Sequence, residues 1–388
     1  MGQHNRAAVT ALAVLTALVL ALAGCGGDDD DGGGAATTND GGAQNEGVAQ
    51  AQELVTAAME VPAFEAPGPE FDASKAKGKV LFDIPLNSSI PTAELKKQTY
   101  EKIADQVGFE LVVHPNQGQP SDWVQGMNAA ISRKADLIVL DGAPNPKLLG
   151  PQIKEASDAG IPVLVTHFFD ESATPPDDVT AIVPAPFNLA AKLEANWIVA
   201  DSGGEANVLV IESAEAPPSA GAVKTIQDEF AALCPDSCET TVVDVPVTEW
   251  ATKTQGEVQS ALVKNPAIDY VLPLYDGMVQ FASAGVTASG AGEDVKIVSF
   301  NGTPSVLQMI QDGTPVAMNV GENPEWLAYA NMDQALRILS GEEPVATENT
   351  PARVFTAENV DDAGTPPELG KGYGDAYVAG YEQLWGLK

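Results

Sequence analysis

The chain is poor in basic residues, and this limits the partners that it can bind. Its 388 residues include 20 Lys and Arg against 54 Asp and Glu, which gives a formal net charge of −34 at pH 7. Nucleic acids and anionic membrane surfaces are bound through clusters of Lys and Arg. The composition therefore argues strongly against a nucleic-acid partner and against a polybasic membrane patch. It favours a well-solvated protein that works outside the cytoplasm.

Arginine is especially scarce, and its positions bear on the charge of a ligand. The sequence contains Arg6, Arg133, Arg337 and Arg353, and none of them follows a predicted strand. A strand-end guanidinium is the usual way to hold a carboxylate or phosphate through two hydrogen bonds. A neutral ligand is therefore favoured over an amino acid or another organic anion. Backbone amides at helix N-termini remain an alternative way to bind an anion.

Catalytic motifs are also missing. The histidines are His4, His114 and His167, and the sequence has no G-x-S-x-G elbow, no glycine-rich phosphate loop and no H-E-x-x-H. Asp276 and Glu322 remain as carboxylates that could act as acid and base on a glycoside. We expect a binding protein rather than an enzyme, with no catalytic residue, no cofactor and no metal.

The first 25 residues have the pattern of an export signal. A positive end with Arg6 precedes an apolar run, and Leu-Ala-Gly-Cys at residues 22–25 resembles the lipobox of bacterial lipoproteins. This resemblance implies that residues 1–25 are a signal peptide and that Cys25 is lipidated, which would anchor the protein to the cell membrane on its outer side. An uncleaved transmembrane anchor is the alternative.

The other two cysteines lie four residues apart, in the segment CPDSC. In an exported protein this spacing favours a local disulfide between Cys234 and Cys238. A metal site would require further Cys or His residues nearby, and the sequence has none there.

The order of segments along the chain predicts two lobes. Residues 26–50 are mostly Gly, Asp, Asn, Thr and Gln and predict a disordered tether. Residues 51–78 predict an N-terminal arm that begins with a short helix. From residue 79 onward, predicted strands and helices alternate in two series, which indicates two doubly wound α/β lobes with parallel sheets, joined by a hinge. We assign residues 79–187 and 321–346 to lobe 1, and residues 188–320 and 347–388 to lobe 2.

Polar and aromatic residues follow the predicted strands, and the segment IPVLVTHFFD is the best example. Its apolar run Val163–Val165 predicts a buried strand that ends at His167 and Phe168. Ligands of such sheets bind beyond the carboxyl ends of the strands. The candidate ligand-binding residues at these ends are Ser88, Ser89, His167, Phe168, Phe187, Trp250, Tyr275, Asp276, Asn301 and Glu322.

Amides, hydroxyls, carboxylates and aromatic rings suit a neutral polyhydroxylated molecule, because the polar groups bind hydroxyls and the flat rings cover the apolar faces. The alternative is that these polar residues are ordinary solvent-facing residues of loops. In that case the two phenylalanines after the strand would pack under a loop, and His167 would cap or fill a core.

Four segments resemble one family, the periplasmic sugar-binding proteins of ABC importers, in particular the ribose-binding and glucose/galactose-binding group. These segments are IPVLVTHFF, VTEWATKTQGEVQSAL, LPLYDGMVQFASAGV and VSFNGTPSVLQMIQDG. The resemblance places His167 at a ligand-contacting polar position and Trp250 at a stacking Trp. It also places Tyr275 at a ligand-contacting Asn, Asn301 at a ligand-binding Asp, and Glu322 at the last polar contact.

The chain departs from the family at several of these positions. His167-Phe168 stands where the ribose-binding proteins have Asp-Arg, and aromatic residues of the first loop are missing around Ser89–Thr92. The resemblance therefore implies the type I fold and a transport role, with a pocket that is more aromatic and less charged than a ribose site. A deoxysugar, a polyol or a cyclic compound would fit such a pocket.

The resemblance also implies partners and a mode of action. We expect a monomer whose lobes close on the ligand about crossing segments near Phe187, Val320 and Ala352, and which then delivers the ligand to a membrane permease. One alternative is a sensor of the same fold that presents its closed form to a membrane receptor. A surface lipoprotein with a purely structural role is a third possibility.

Overall fold

The computed structural model describes residues 40–142 and 144–387. Cys25, the predicted signal peptide and residues 26–39 of the predicted tether lie outside these described residues. No helix of the described part of the chain combines the length and hydropathy that are needed to cross a membrane.

Eleven strands of the described residues form two sheets. The strands are β1 (Val80–Pro85), β2 (Glu110–Val113), β3 (Leu137–Asp141), β4 (Val163–Thr166), β5 (Ala181–Val183), β6 (Ala206–Glu212), β7 (Cys238–Asp244), β8 (Tyr270–Pro273), β9 (Lys296–Asn301), β10 (Val316–Glu322) and β11 (Ala352–Thr356). The first sheet has the order β2-β1-β3-β4-β5 and is parallel throughout. The second has the order β11-β10-β9-β8-β6-β7, in which only β11 is antiparallel.

Eleven α-helices of the described residues connect and cover these strands. They are α1 (Asp40–Met59), α2 (Pro91–Val107), α3 (Pro120–Arg133), α4 (Gly150–Asp158), α5 (Phe187–Ser202), α6 (Ser219–Leu233), α7 (Trp250–Lys264), α8 (Val279–Ser289), α9 (Pro304–Gln311), α10 (Pro324–Ser340) and α11 (Ala376–Leu384). The predicted fold of two doubly wound α/β lobes is confirmed. We call the lobe built on the first sheet lobe 1 and the lobe built on the second sheet lobe 2.

The sequence explains why the sheets form where they do. Every residue of β3 and β4 is buried, as expected for strands covered by helices on both faces. Proline occupies the first turn of α2, α3, α9 and α10, where its missing N–H costs no hydrogen bond. The side chain of Asn323 also caps α10 by accepting hydrogen bonds from the backbone N–H groups of Glu325 and Trp326.

The chain crosses between the lobes at three places in its central part. These crossings are the link from β5 to α5, the link from β10 to α10, and residues 341–351 between α10 and β11. Helix α10 packs against α2 and the strands of lobe 1, whereas its neighbours β10 and β11 belong to the sheet of lobe 2.

The N-terminal segment differs from the prediction. Helix α1 begins at Asp40, so residues 40–50 are helical where the sequence predicts tether. The helix buries Ala51 and Val55 in the core of lobe 2, a tertiary contact that its composition does not reveal. The chain then passes to lobe 1, where the ring of Phe64 lies 4.9 Å from that of Tyr381 and the Ala73 N–H donates to the Trp385 carbonyl.

The C-terminal helix also corrects a predicted boundary. The sequence assigns residues 347–388 to lobe 2, but α11 packs against α10 in the core of lobe 1. Tyr377 and Tyr381 of α11 and Trp385 directly after it are almost fully buried. The rings of Tyr381 and Trp385 lie 5.9 and 5.8 Å from the ring of Tyr329 in α10. This aromatic contact holds the end of the chain on lobe 1.

Cys234 and Cys238 form a disulfide with a Cα–Cα distance of 5.5 Å. The bond joins the end of α6 to the first residue of β7 on the outer side of lobe 2.

Candidate ligand-binding cleft

A cavity of about 580 Å³ lies between the lobes, beyond the carboxyl ends of strands from both sheets. This volume is typical of a small-molecule site, and the position is where ligands bind in open α/β sheets. The lining residues are Leu86, Ile90, Gly142, Asn145, His167, Phe168, Phe187, Glu215, Ala216, Pro217, Pro218, Val247, Trp250, Tyr275, Gly277 and Asn301. The set includes six of the ten sequence-predicted residues.

His167 and Glu322 form the central polar contact. The Nε2 atom of His167 lies 2.9 Å from each carboxylate oxygen of Glu322. His167 follows β4 of lobe 1 and has a φ of +56°, a left-handed conformation that is uncommon for a residue with a side chain. Glu322 ends β10 of lobe 2 at a crossing between the lobes. Such backbone strain concentrates at functional sites, where the surrounding structure holds it.

Asn301 lies beside Glu322 at the end of the neighbouring strand. Its Nδ2 atom is 3.4 Å from Oε1 of Glu322, and its Oδ1 atom accepts a hydrogen bond of 3.3 Å from the backbone N–H of Asp276. Asn301 has a φ of +143°, and Gly302 follows at +71°. A Cβ at Gly302 would lie 2.8 Å from the Cα of Gly321, so this turn requires glycine. The turn brings the amide of Asn301 to the cleft.

Trp250 and Tyr275 form an aromatic wall on lobe 2. Their ring centroids are 5.8 Å apart and their planes differ by 23°. The Trp250 Nε1–H donates to Oγ of Ser213 at 2.8 Å, and the Tyr275 hydroxyl is 2.9 Å from Oγ of Ser219. Burial raises the pKa of Tyr275 above its ordinary value, which keeps the phenol neutral. The polar atoms of both rings are thus engaged within the protein, and the rings face the cavity.

Phe168 and Phe187 extend the apolar surface towards lobe 1. The ring of Phe187 lies 5.7 Å from that of His167 and 6.4 Å from that of Tyr275, so it links the polar contact to the aromatic wall. Phe168 lines the cavity and packs edge-on against Phe169 at 4.9 Å. Phe168 therefore lies at the cavity, as the ligand-binding interpretation predicts, and Phe169 packs behind it, as the alternative of packing under a loop predicts.

Asp276 lies differently from the prediction. Its carboxylate accepts hydrogen bonds from the side chains of Ser299 and Asn319 and from both the backbone N–H and the hydroxyl of Thr303, at 2.6–2.8 Å. Burial raises its pKa from 3.8 to about 6, against these hydrogen bonds. Asp276 does not line the cavity. It joins the loops that follow β8 and β9 and positions Asn301 through its backbone N–H.

Ser88 and Ser89 also lie outside the cavity lining. The Ser88 hydroxyl accepts from the backbone N–H of Asn116, and the Ser89 N–H donates to the side chain of Asn87. Both serines stabilise their own loop, which is a common use of hydroxyls and amides in turns. Among the described residues of this loop, Leu86 and Ile90 reach the cavity instead.

A buried ion pair that the sequence did not reveal adjoins the cleft. Nζ of Lys96 in α2 lies 2.6 Å from Oδ1 of Asp141, and both side chains are almost fully buried. Asp141 also accepts a hydrogen bond of 2.8 Å from the hydroxyl of Thr166. Burial raises the pKa of the nearby Asp83 well above its ordinary value, and repulsion from the carboxylate of Asp141 adds to this shift. The available signal was a lysine in the apolar stripe that α2 forms with Tyr100 and Ile103.

Two carboxylates at the cleft contact a basic side chain, and a third, Glu215, is exposed and accepts a hydrogen bond from the backbone N–H of Val247. Lys96 faces Asp141, and His167 faces Glu322. Among the described residues that line the cleft, none is an arginine; Arg133, Arg337 and Arg353 pair with acidic side chains elsewhere. The arrangement offers hydrogen-bond donors and acceptors beside aromatic faces, as a neutral polar ligand requires.

Comparison with known proteins places this architecture in context. A model of the periplasmic binding protein domain family matches residues 85–343. The ribose import binding protein RbsB of Salmonella typhimurium is 23% identical over 247 residues, which cover 64% of this chain and 80% of that protein. The D-apiose import binding protein of Actinobacillus succinogenes is 26% identical over 213 residues, which cover 54% of this chain and 66% of that protein.

Solved structures share the fold. An ABC transporter solute binding protein from Agrobacterium vitis with bound allitol superposes with a TM-score of 0.62 at 21% identity, over 74% of this chain and 98% of that one. The 5-methylthioribose transporter solute binding protein from Thermotoga lettingae, in complex with 5-methylthioribose, gives 0.61 at 19% identity, over 82% and 95%. At these identities the likeness establishes the two-lobed fold.

Proposed function

The chain belongs to the periplasmic binding protein domain family, and on this basis we propose that it is an extracytoplasmic solute-binding lipoprotein of an ABC importer. Its ligand is a neutral sugar or a polyol-like small molecule. One observation carries the proposal: hydrogen-bonding groups of His167, Asn301 and Glu322 and the ring faces of Trp250 and Tyr275 meet in one cleft between two lobes.

The relatives support the ligand class. The matched curated proteins are import binding proteins for ribose and D-apiose, and the two solved structures contain allitol and 5-methylthioribose. All four named ligands are small, uncharged and rich in hydroxyl groups. The cleft of this chain suits such molecules because Lys96 is already paired with Asp141 and because the amide and carboxylate groups that line the cleft can bind hydroxyls.

In the proposed mechanism, the ligand joins the lobes. On the side of lobe 2, the Glu322 carboxylate accepts hydrogen bonds from the ligand's hydroxyls and the Asn301 amide both donates to them and accepts from them. The imidazole of His167 hydrogen-bonds to the ligand from lobe 1. The rings of Trp250, Tyr275 and Phe187 cover the apolar part of the ligand. A ligand that contacts both lobes only in the closed form shifts the population towards closure. Micromolar affinity requires a binding free energy of only ~8 kcal/mol. The closed, ligand-bound form then docks on the permease.

The lipid anchor is a separate part of the proposal and rests on the sequence around Cys25. Lipidation at this residue would hold a monomer on the outer face of the cell membrane, close to its permease. The variant Cys25→Ser should release the protein into the soluble fraction. Continued recovery in the membrane fraction would indicate a transmembrane anchor instead.

Calorimetry on the Cys25→Ser protein tests the binding function directly. The panel consists of the aldopentoses, the aldohexoses, their alditols and the inositols, with amino acids and dicarboxylates as charged controls. We expect saturable 1:1 binding of at least one neutral member and none of the charged controls. Binding of only the charged compounds would overturn the proposal.

A further inference from the structure

The cleft has two adjoining parts with different linings. An inner part of about 250 Å³ lies beside the crossing from β10 to α10, and an outer part is the cavity of about 580 Å³ described above. The two share the side chains of Leu86, Ile90, His167 and Asn301, so a single molecule can occupy both.

The inner part brings together hydrogen-bonding groups from both lobes. Lys96, Asp141 and Glu322 line it, together with the shared His167 and Asn301. These groups come from both lobes and converge on a space that is smaller than the outer part. A ring with several hydroxyls can satisfy them there, because ammonium, imidazole and amide groups donate while the carboxylates accept.

The outer part is mainly apolar, although it contains aromatic residues with polar atoms. The indole N–H of Trp250 and the hydroxyl of Tyr275 are bound to Ser213 and Ser219, respectively, so the two rings offer apolar faces to the cavity. Phe168 and Phe187 also line this part. Glu215 and Asn145 also line this part, but most of its surface is apolar. A group with many hydroxyls placed here would leave some of them unpaired, and burying an unpaired polar group is unfavourable.

Two large apolar side chains at the outer part remain exposed. Ile90 on lobe 1 is 36% exposed and Val247 on lobe 2 is 44% exposed, and both line the same cavity. A ligand with an apolar group between them would remove their surface from water, which stabilises a complex in proportion to the area covered.

From this division we infer that the ligand is a sugar or cyclic polyol that carries an apolar substituent, such as an alkyl or aryl group. The hydroxylated ring occupies the inner part and the substituent occupies the outer part, between Trp250, Phe187 and the pair Ile90 and Val247. This inference rests on the proposed sugar-binding function and specifies the class of sugar.

Calorimetry with matched pairs of probes tests the inference. Each aldopentose and aldohexose is titrated beside its phenyl β-glycoside, and lactose and cellobiose represent ligands with a second polar ring. We expect at least one phenyl glycoside to bind roughly tenfold or more tightly than its parent sugar, since one extra methylene in an apolar pocket already gives a factor of this size.

The variant Val247→Asp places a charge in the outer part, and it should reduce the preference for the phenyl glycoside over the parent sugar by at least a factor of about ten. Val263→Asp is the matched control, because Val263 is 64% exposed on α7 and does not line the cleft. The control should leave the preference unchanged.

Three results would count against the inference in different ways. Parent sugars that bind as tightly as their phenyl glycosides would overturn it and leave the sugar-binding function standing. Tighter binding of the disaccharides than of the phenyl glycosides would also overturn it, in favour of an oligosaccharide ligand. If neither the sugars nor their glycosides bind, the proposed function itself is wrong, and the inference is wrong with it.

Discussion

His167 and Glu322 are 155 positions apart in the chain, yet the imidazole Nε2 lies 2.9 Å from both oxygens of the carboxylate. One residue extends from the first sheet and the other ends a strand of the second. The contact therefore couples the lobes at the base of the cleft. A ligand that binds there must hydrogen-bond to this pair or replace part of it.

Glu322→Gln tests the carboxylate while keeping its shape. We expect binding of the best sugar or polyol of the calorimetric panel to weaken about tenfold to a hundredfold, since hydrogen bonds to charged groups contribute about 1.5–3 kcal/mol each. Glu343→Gln is the control, because Glu343 is exposed and lies outside the cleft. Equal affinities for both variants would remove Glu322 from the site.

Trp250→Ala removes one ring of the aromatic wall. The affinity for the tightest-binding compound of the calorimetric panel should fall by roughly a factor of ten or more, because a buried aromatic face contributes both apolar area and specific contacts. Trp197→Ala is a matched control, since Trp197 lies on α5 of the same lobe and does not line the cleft. Circular dichroism should show both variants folded. Unchanged affinity in folded Trp250→Ala would exclude ring stacking at this position.

Lys96→Met tests the buried ion pair behind the cleft. The substitution leaves Asp141 without its partner at 2.6 Å and next to Asp83, so the free energy of unfolding should fall by ~3–5 kcal/mol. Lys97→Met on the same helix is the control. The Lys97 side chain is 39% exposed and pairs with Glu94 and Glu101 at 3.6 and 3.8 Å, and its loss should cost no more than ~1 kcal/mol. Urea unfolding of both variants measures the difference, and similar losses would contradict the assignment.

The alternation of short apolar runs and helical segments was sufficient to predict the fold and the edge at which the cleft forms. Strands such as β3 and β4 are apolar along their whole length, and parallel strands place the following residues at one edge. This rule placed His167, Phe187, Trp250, Tyr275 and Asn301 at the cleft.

The sequence does not reveal in which direction the side chain of each loop residue points. Tyr275 and Asp276 are adjacent, but the carboxylate of Asp276 is turned away by donors from other segments, including Ser299 and Asn319. Lys96 was missed for the same reason, because its partner lies 45 positions away. The lobe to which α11 belongs likewise depends on an aromatic contact with Tyr329 that no local pattern encodes.

The environment of Asp276 gives stability a specific pH dependence. Burial raises its folded-state pKa from 3.8 to about 6. Between pH 3.8 and pH 6 the folded protein therefore still holds a proton that the unfolded chain has lost. The contribution of the protonated carboxyl to stability is therefore fully present below pH 3.8 and is lost as the pH rises through 6. For a fully buried group, the shift of about two pKa units corresponds to ~3 kcal/mol.

Asp276→Asn removes this titration and should flatten the pH profile. We expect the free energy of unfolding of the unmodified chain to decrease between pH 4 and pH 6.5 by up to ~3 kcal/mol more than that of the variant. Urea unfolding at half-unit intervals of pH measures both profiles, and Asp312→Asn, on the surface after α9, serves as the control for loss of one carboxylate. The variant is less stable at every pH because an amide cannot accept from all four donors that the carboxylate binds. The test therefore compares the slopes of the two plots of unfolding free energy against pH, and not the absolute stabilities. Parallel profiles for Asp276→Asn and the unmodified chain would mean that this carboxyl is already ionised at pH 4, with its hydrogen bonds outweighing burial.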